Sequence, residues 1–276
     1  MTELLASGVA RKMKTRLGDP VEYQMVLGEQ NVPMNDYLGR VLQLDFQGAI
    51  HCIHCDRKTN KSFSQGYCYP CFKRLAQCDM CIMSPEKCHF AAGTCREPEW
   101  GETHCMIDHT VYLANTSGLK VGITRDYPTR WIDQGASQAQ PIFRVSNRLQ
   151  SGMVETVFKN HIADKTHWQA MLKGPAEPRD LEQVRGELMA QCAPDIDALQ
   201  QQHGINSIQI LEREEETAIN YPVLEYPTKV KSLNLDKMPS IGGTLMGIKG
   251  QYLIFDTGVI NIRKYGGYSL SLSLIS

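Results

Sequence analysis

Nine of the ten cysteines fall between Cys52 and Cys105, and their spacing is that of metal ligands. Cys52-x2-Cys55 and Cys68-x2-Cys71 are two knuckles separated by twelve residues. A two-residue spacer lets both thiolates of one tight turn grip the same tetrahedral ion, and a second such turn closes the coordination shell. Four cysteines leave no open position, so the chemistry implied here is structural zinc rather than catalysis.

A second group is richer. Cys78-x2-Cys81 is a third knuckle, followed by Cys88, Cys95 and Cys105, and Cys105-x3-His109 has the spacing of a further ligand pair. A second zinc held by Cys78, Cys81 and two of Cys88, Cys95, Cys105 and His109 is the first expectation. An iron–sulfur cluster on Cys78, Cys81, Cys88 and Cys95 is the alternative, because all-cysteine sets suit such clusters too. His51, His54, His89 and His104 read as flanking residues rather than ligands, and the lone Cys192 as a small core residue. So few large aliphatics occur in this stretch that a metal would take the place of a core. The nearby Lys61, Phe63, Tyr67, Tyr69, Phe72, Lys73 and Arg74 would supply either that small core or a surface for stacking bases and binding phosphate.

Bulk properties narrow the setting. A chain of 276 residues with 42% hydrophobic and 21% charged content is an ordinary globular composition. No run approaches the ~18 apolar residues that span a bilayer, and Met1 to Lys14 lacks the apolar core of an export signal. A cytoplasmic protein, with no membrane partner and no evident small-molecule cofactor, is therefore expected; in that reducing compartment cysteines serve as thiols or ligands. The net charge of -1 conceals segregation. Pro175 to Ile219 holds ten acidic residues against three basic, whereas Thr110 to Gly174 holds eight basic against four acidic. Positive faces are thus available on a neutral protein.

The elements that must position these residues can be read in outline as an α+β protein: a zinc-ribbon-like module, a small α/β core and β-rich ends. Residues 1–50 form a β-rich lead-in, with strands expected at Val21 to Leu27 and Arg40 to Phe46, the latter broken by Gly48. Residues 51–109 are the cysteine-rich module. In residues 110–175, Thr110 to Ala114 and Leu119 to Thr124 are short strands joined by a turn at Asn115 to Gly118. A helix follows at Thr129 to Gln134, a strand at Ile142 to Val145, and a helix at Val154 to Ile162 with Ser151 as its cap. Residues 176–225 are acidic and helical, with Pro194 expected to separate two helices. Residues 226–276 return to β, with strands at Thr244 to Gly247, Gln251 to Asp256, Val259 to Arg263 and Tyr268 to Leu274. Lys249, Arg263 and Lys264 there read as solvated strand ends or as a basic edge.

The order strand, strand, helix, strand, helix carries a resemblance. Val111-Tyr112 and Val121-Gly122 on consecutive strands, Arg130 on the first helix and Glu155 on the next make this segment similar to the GIY-YIG nuclease domain. The resemblance implies phosphodiester hydrolysis on DNA or RNA, with Glu155 holding Mg²⁺ or Mn²⁺, Arg130 or Arg125 steadying phosphate, and Tyr112 or Lys120 near the attacking water. Thr110 stands in place of the first glycine, Lys120 in place of the second tyrosine, and Gln134 where a histidine is often found, so the general base stays open. Asp164, Lys165 and Thr166 read first as a turn able to reach the same cleft. A competing class is a non-catalytic zinc module that binds RNA, the ribosome or a protein partner, and a third is an iron–sulfur redox sensor. The chain as a whole also resembles an uncharacterised bacterial cysteine-rich family, through Ser64-Gln65-Gly66-Tyr67-Cys68-Tyr69-Pro70-Cys71, Gly93-Thr94-Cys95-Arg96-Glu97-Pro98 and Gly247-Ile248-Lys249-Gly250-Gln251-Tyr252.

Overall fold

The two ends of the chain pair with each other. A computed structural model describes residues 1–162 and 165–276 as a mixed α/β protein with several sheets and few helices. Strand β1 (Thr2–Val9) leads to a small antiparallel sheet of β2 (Lys14–Arg16), β3 (Glu22–Leu27) and β4 (Gln30–Pro33). Strand β5 (Val41–His51) does not stop at Gly48 as its sequence suggests. Gly48 adopts a φ of +75°, a conformation open to glycine, so the strand bends and continues to the first knuckle. There β6 (Lys58–Thr59) folds back on Ile50 and His51.

The cysteine-rich stretch contains only helices α1 (Tyr69–Arg74) and α2 (Pro98–His104) among short 3₁₀ turns. Next, β7 (His109–Asn115) and β8 (Leu119–Thr124) form a hairpin in which Tyr112 pairs with Gly122. After α3 (Thr129–Asp133), strand β9 (Gln138–Val145) returns along the other edge of β7. Helix α4 (Arg148–Lys159) then packs on the sheet. It begins earlier than expected because Asn147, not Ser151, is its cap: the Asn147 side chain accepts from the Gln150 N–H at 3.0 Å. Ser151 instead donates to the Arg148 carbonyl.

Helices α5 (Trp168–Met171) and α6 (Leu181–His203) follow. Pro194 lies inside α6 and does not divide it. It is exposed, as is Ala190 whose carbonyl loses its helical donor, so water can satisfy that group. Leu188, Cys192 and Ile196 meanwhile hold one face to the core on both sides of it. Strands β10 (Ile208–Ile210) and β11 (Thr217–Ala218) both pair with β9, which completes a five-stranded antiparallel sheet.

The tail supplies β12 (Ser240–Lys249), β13 (Tyr252–Phe255), β14 (Gly258–Asn261) and β15 (Tyr268–Ile275). The largest sheet runs β1-β15-β5-β12-β13-β14, with β6 attached to β5. Alternation along β7 joins the two halves of the molecule. Tyr112 and Ala114 enter the large core with Leu44, Tyr265 and Leu272, while Val111 and Leu113 pack against Val154 and Phe158 of α4 and Cys192 of α6. No helix of the described residues is long and apolar enough to cross a membrane.

Candidate metal centres and a cationic cleft

The sulfurs of Cys52, Cys55, Cys68 and Cys71 all lie within 4.8 Å of one another. The Cys55 and Cys68 Sγ atoms are 3.8 Å apart. Tetrahedral zinc with bonds of about 2.3 Å would set its sulfurs roughly 3.8 Å apart, so the donor set fits that ion. Burial first, and then the neighbouring sulfurs of Cys68, Cys55 and Cys52, push the Cys71 thiol up to about 12. A cation is what such a site needs before all four cysteines can be thiolates. The four-cysteine group can therefore hold a metal ion such as zinc.

Knuckle geometry follows from the local chain. Cys68 precedes α1, Pro70 stands in its first turn, and Cys71 is buried one turn into the helix. Phe63 stacks on Phe72 and lies against Tyr69, with Lys61 over its ring, so these aromatics pack with one another.

The second group is arranged differently. Cys81, Cys88, Cys95 and Cys105 line one pocket, together with Asp79 and His89. Cys78 does not join them and packs with Leu75 and the first knuckles. His109 is also absent from that pocket. It opens β7, its Nδ1 lies 2.7 Å from the Ile107 carbonyl, and burial lowers it to about 4, which keeps the imidazole neutral.

The α/β core presents a cleft rather than a pocket of sulfur: Lys120, Arg125, Arg130 and Glu155 all line an opening of about 670 Å³. Three elements and the loop after the first of them converge to build it. Lys120 stands on β8, Arg130 on α3 and Glu155 on α4, with Arg125 just past the end of β8. Tyr112 lies beneath, fully buried, and donates to Gln134 Oε1 at 2.8 Å. Lys120 donates to the same oxygen at 3.1 Å. Gly122 has to be a glycine here, since a Cβ would come within 2.7 Å of the Tyr112 hydroxyl. Burial is the main cause that pushes the phenol up to about 12; Arg130 opposes that rise and Glu155 adds to it. Glu155 is nearly buried and pairs with Lys159 at 3.2 Å, one turn along α4.

Sequence reasoning missed part of this wall. Arg148 and Lys159 line the cleft from α4, and Arg263 lines it from the tail. Arg148 directly follows the cap Asn147, and nothing in its local pattern marks it out. Lys249, grouped with Arg263 as a basic edge, is fully buried instead, with its ammonium over the rings of Tyr221 and Tyr226. Of the expected polar turn, Lys165 lines the cleft, whereas Asp164 lies outside the described residues.

The family model described as Protein of unknown function (DUF2797) matches residues 39–270. No curated protein and no solved structure matches the chain.

Proposed function

The chain belongs to this family of unknown function, and we propose that it is a zinc-stapled nucleic-acid-binding protein whose cleft hydrolyses phosphodiester bonds with Mg²⁺ or Mn²⁺. One observation carries the reading: Lys120, Arg125, Arg130 and Glu155, drawn from separate elements, face a single cleft with the Tyr112 phenol under its floor. The order β7, β8, α3, β9, α4 is also the one that the resemblance to the GIY-YIG domain implies.

The arrangement suits a phosphodiester. Lys120, Arg130, Arg148 and Arg263 offer positive charge to a backbone phosphate and to the charge that develops during its cleavage. Glu155 lines the cleft together with Asp126 and Asp133, and one or two carboxylates with substrate oxygens are a usual way to hold Mg²⁺. Such an ion would polarise the phosphate and lower the pKa of a bound water. Glu155 would then exchange its pairing with Lys159 for the cation. With its pKa at about 12, Tyr112 keeps its proton and acts as a donor that fixes Gln134, which in turn orients Lys120.

The test is cleavage of mixed DNA and RNA by parent and Glu155→Gln proteins with Mg²⁺ or Mn²⁺, alongside binding. Loss of cleavage by ~10²-fold or more in the variant, with binding retained, is expected. The ion pair between Glu155 and Lys159 favours a second reading, a non-catalytic binding module. Binding equal in both proteins with no cleavage by the parent would establish that reading in place of the first.

A further inference from the structure

We infer that Asp79, Cys81 and His89 hold a single zinc ion, a second centre separate from the one at Cys52, Cys55, Cys68 and Cys71. Among the described residues, these are the two groups whose donor atoms all come within 4.8 Å of one another. Spacing alone passes over Asp79 and His89, and the fold unites them with Cys81. Asp79 caps the 3₁₀ turn Met80–Ile82 that carries Cys81. The chain then returns through the turn Pro85–Lys87, with Cys88 at its end and His89 next. A thiolate, an imidazole and a carboxylate are donors that zinc accepts together.

His89 and Asp79 stand at the separation of two ligands rather than of a hydrogen bond. His89 Nε2 lies 3.5 Å from Asp79 Oδ2. An N–H···O bond spans about 2.7–3.2 Å. Two donors at zinc bond lengths of about 2.0–2.2 Å, set at a tetrahedral angle, are roughly 3.4 Å apart. The hydrogen bonds of the ring agree. Thr94 Oγ1 donates to the His89 carbonyl at 3.4 Å, so it accepts from His89 Nδ1, 2.8 Å away. With the ring proton on Nδ1, the Nε2 lone pair faces a carboxylate oxygen, and a cation or a proton between them is needed to make that favourable. A proton would serve Nε2 and Oδ2 and leave the nearby Cys81 sulfur without a role. An ion serves all three.

The neighbouring contacts fix these donors without consuming them. Asp79 Oδ1 accepts from the Met80 N–H at 2.5 Å, and Oδ2 accepts from Arg96 Nε at 2.7 Å. Each carboxylate oxygen has a second lone pair, so Oδ2 keeps one for a metal. The void that the trio lines measures about 10 Å³, close to the space of one small ion. Cys88, Cys95 and Cys105 line it too, so a thiol is at hand for the fourth tetrahedral position.

The site also bears on the cleft without depending on its chemistry. An ion on Asp79, Cys81 and His89 would close residues 79–89 into a loop. Ile82, Met83 and Pro85 of that loop line the cleft rim, and Arg148 donates its guanidinium to the Ile82 carbonyl at 2.6 Å.

The experiment is zinc analysis of the full chain, with X-ray absorption at the zinc edge, for the parent, Cys81→Ser and His89→Ala. The parent should hold about two zinc ions, with nitrogen and oxygen beside sulfur in the mean shell. Each variant should hold about one, with sulfur alone around it. Cys192→Ser, in the apolar core of the α/β unit, should keep both. Zinc unchanged in a folded His89→Ala protein would overturn the inference, and is the result expected if a proton on Nε2 pairs His89 with Asp79. If a variant does not fold, the parent decides: a shell of sulfur alone would overturn the inference whatever the zinc count. None of these readouts uses cleavage, so the ion stands or falls apart from the proposed nuclease.

Discussion

Lys249 shows what one residue costs when it is buried with its charge. It is fully inaccessible and its ammonium donates to the Gly174 carbonyl at 2.9 Å. Burial lowers it to about 8, while the rings of Tyr221 and Tyr226 favour the charged form. In the unfolded chain the same amine titrates near 10.4. Below pH 8 both states hold the proton, and the burial penalty acts in full. Between pH 8 and about 10.4 the unfolded chain binds more protons, so this group's contribution to stability rises with pH, by at most roughly 3 kcal/mol. Lys249→Met should therefore gain relative stability below pH 8, and that advantage should shrink as the pH rises. Denaturant unfolding of parent and variant on either side of pH 8 measures the difference, and a constant gap would sink the idea. At the opposite end of the range, His109 is held neutral at about 4, so protonating it in acid works against folding.

Helix α4 ties the cleft to the cysteine module, and its close approach depends on one glycine. A Cβ at Gly152 would stand 2.4 Å from the Glu86 backbone nitrogen and 2.7 Å from the Pro85 carbonyl carbon. Alanine is the better helix former by up to about 1 kcal/mol, yet here steric overlap with backbone decides the sign. Gly152→Ala should destabilise by about 1–3 kcal/mol, and the displaced turn should also weaken binding in the cleft. Asn147→Ala at the same helix's start should cost about 1 kcal/mol by freeing the Gln150 N–H. Thermal melts of both variants check these values, and an unchanged midpoint for Gly152→Ala would show that the turn yields freely. The sequence made this region partly legible. The β-branched runs on either side of Asn115 to Gly118 mark the hairpin, and Val154, Val157 and Phe158 mark the helix. Its start was not legible, because Asn147 and Ser151 are both plausible caps and only the backbone hydrogen bond separates them.

At the scale of the whole molecule, the least legible feature is the pairing of its ends. Thr2 lies opposite Ile275, and β15 separates β1 from β5 in the sheet. Each strand carries a local pattern, but no local pattern names a partner so far along the chain. The metal site is the reverse case: four cysteines in two knuckles identify their own partners, and their sulfurs converge. These two kinds of order meet at the end of β5, where the His51 N–H donates to the Gly267 carbonyl at 2.7 Å and Cys52 follows at once. The sheet has a large apolar core of its own, whereas the knuckle module has little besides Leu75 and its cysteines. Metal removal should therefore melt the module before the sheet. After chelation, the amides of Ile53, Phe72 and Leu75, bonded to Gly66, Cys68 and Cys71 carbonyls, should lose their protection from hydrogen exchange. Those of Leu113 and Leu272, within the two sheets, should keep most of theirs. If protection vanishes together throughout, the module is part of one cooperative unit and its metal holds the entire protein. If nothing changes, the four thiols hold no metal, because a bound structural zinc contributes about 10–16 kcal/mol in comparable small modules.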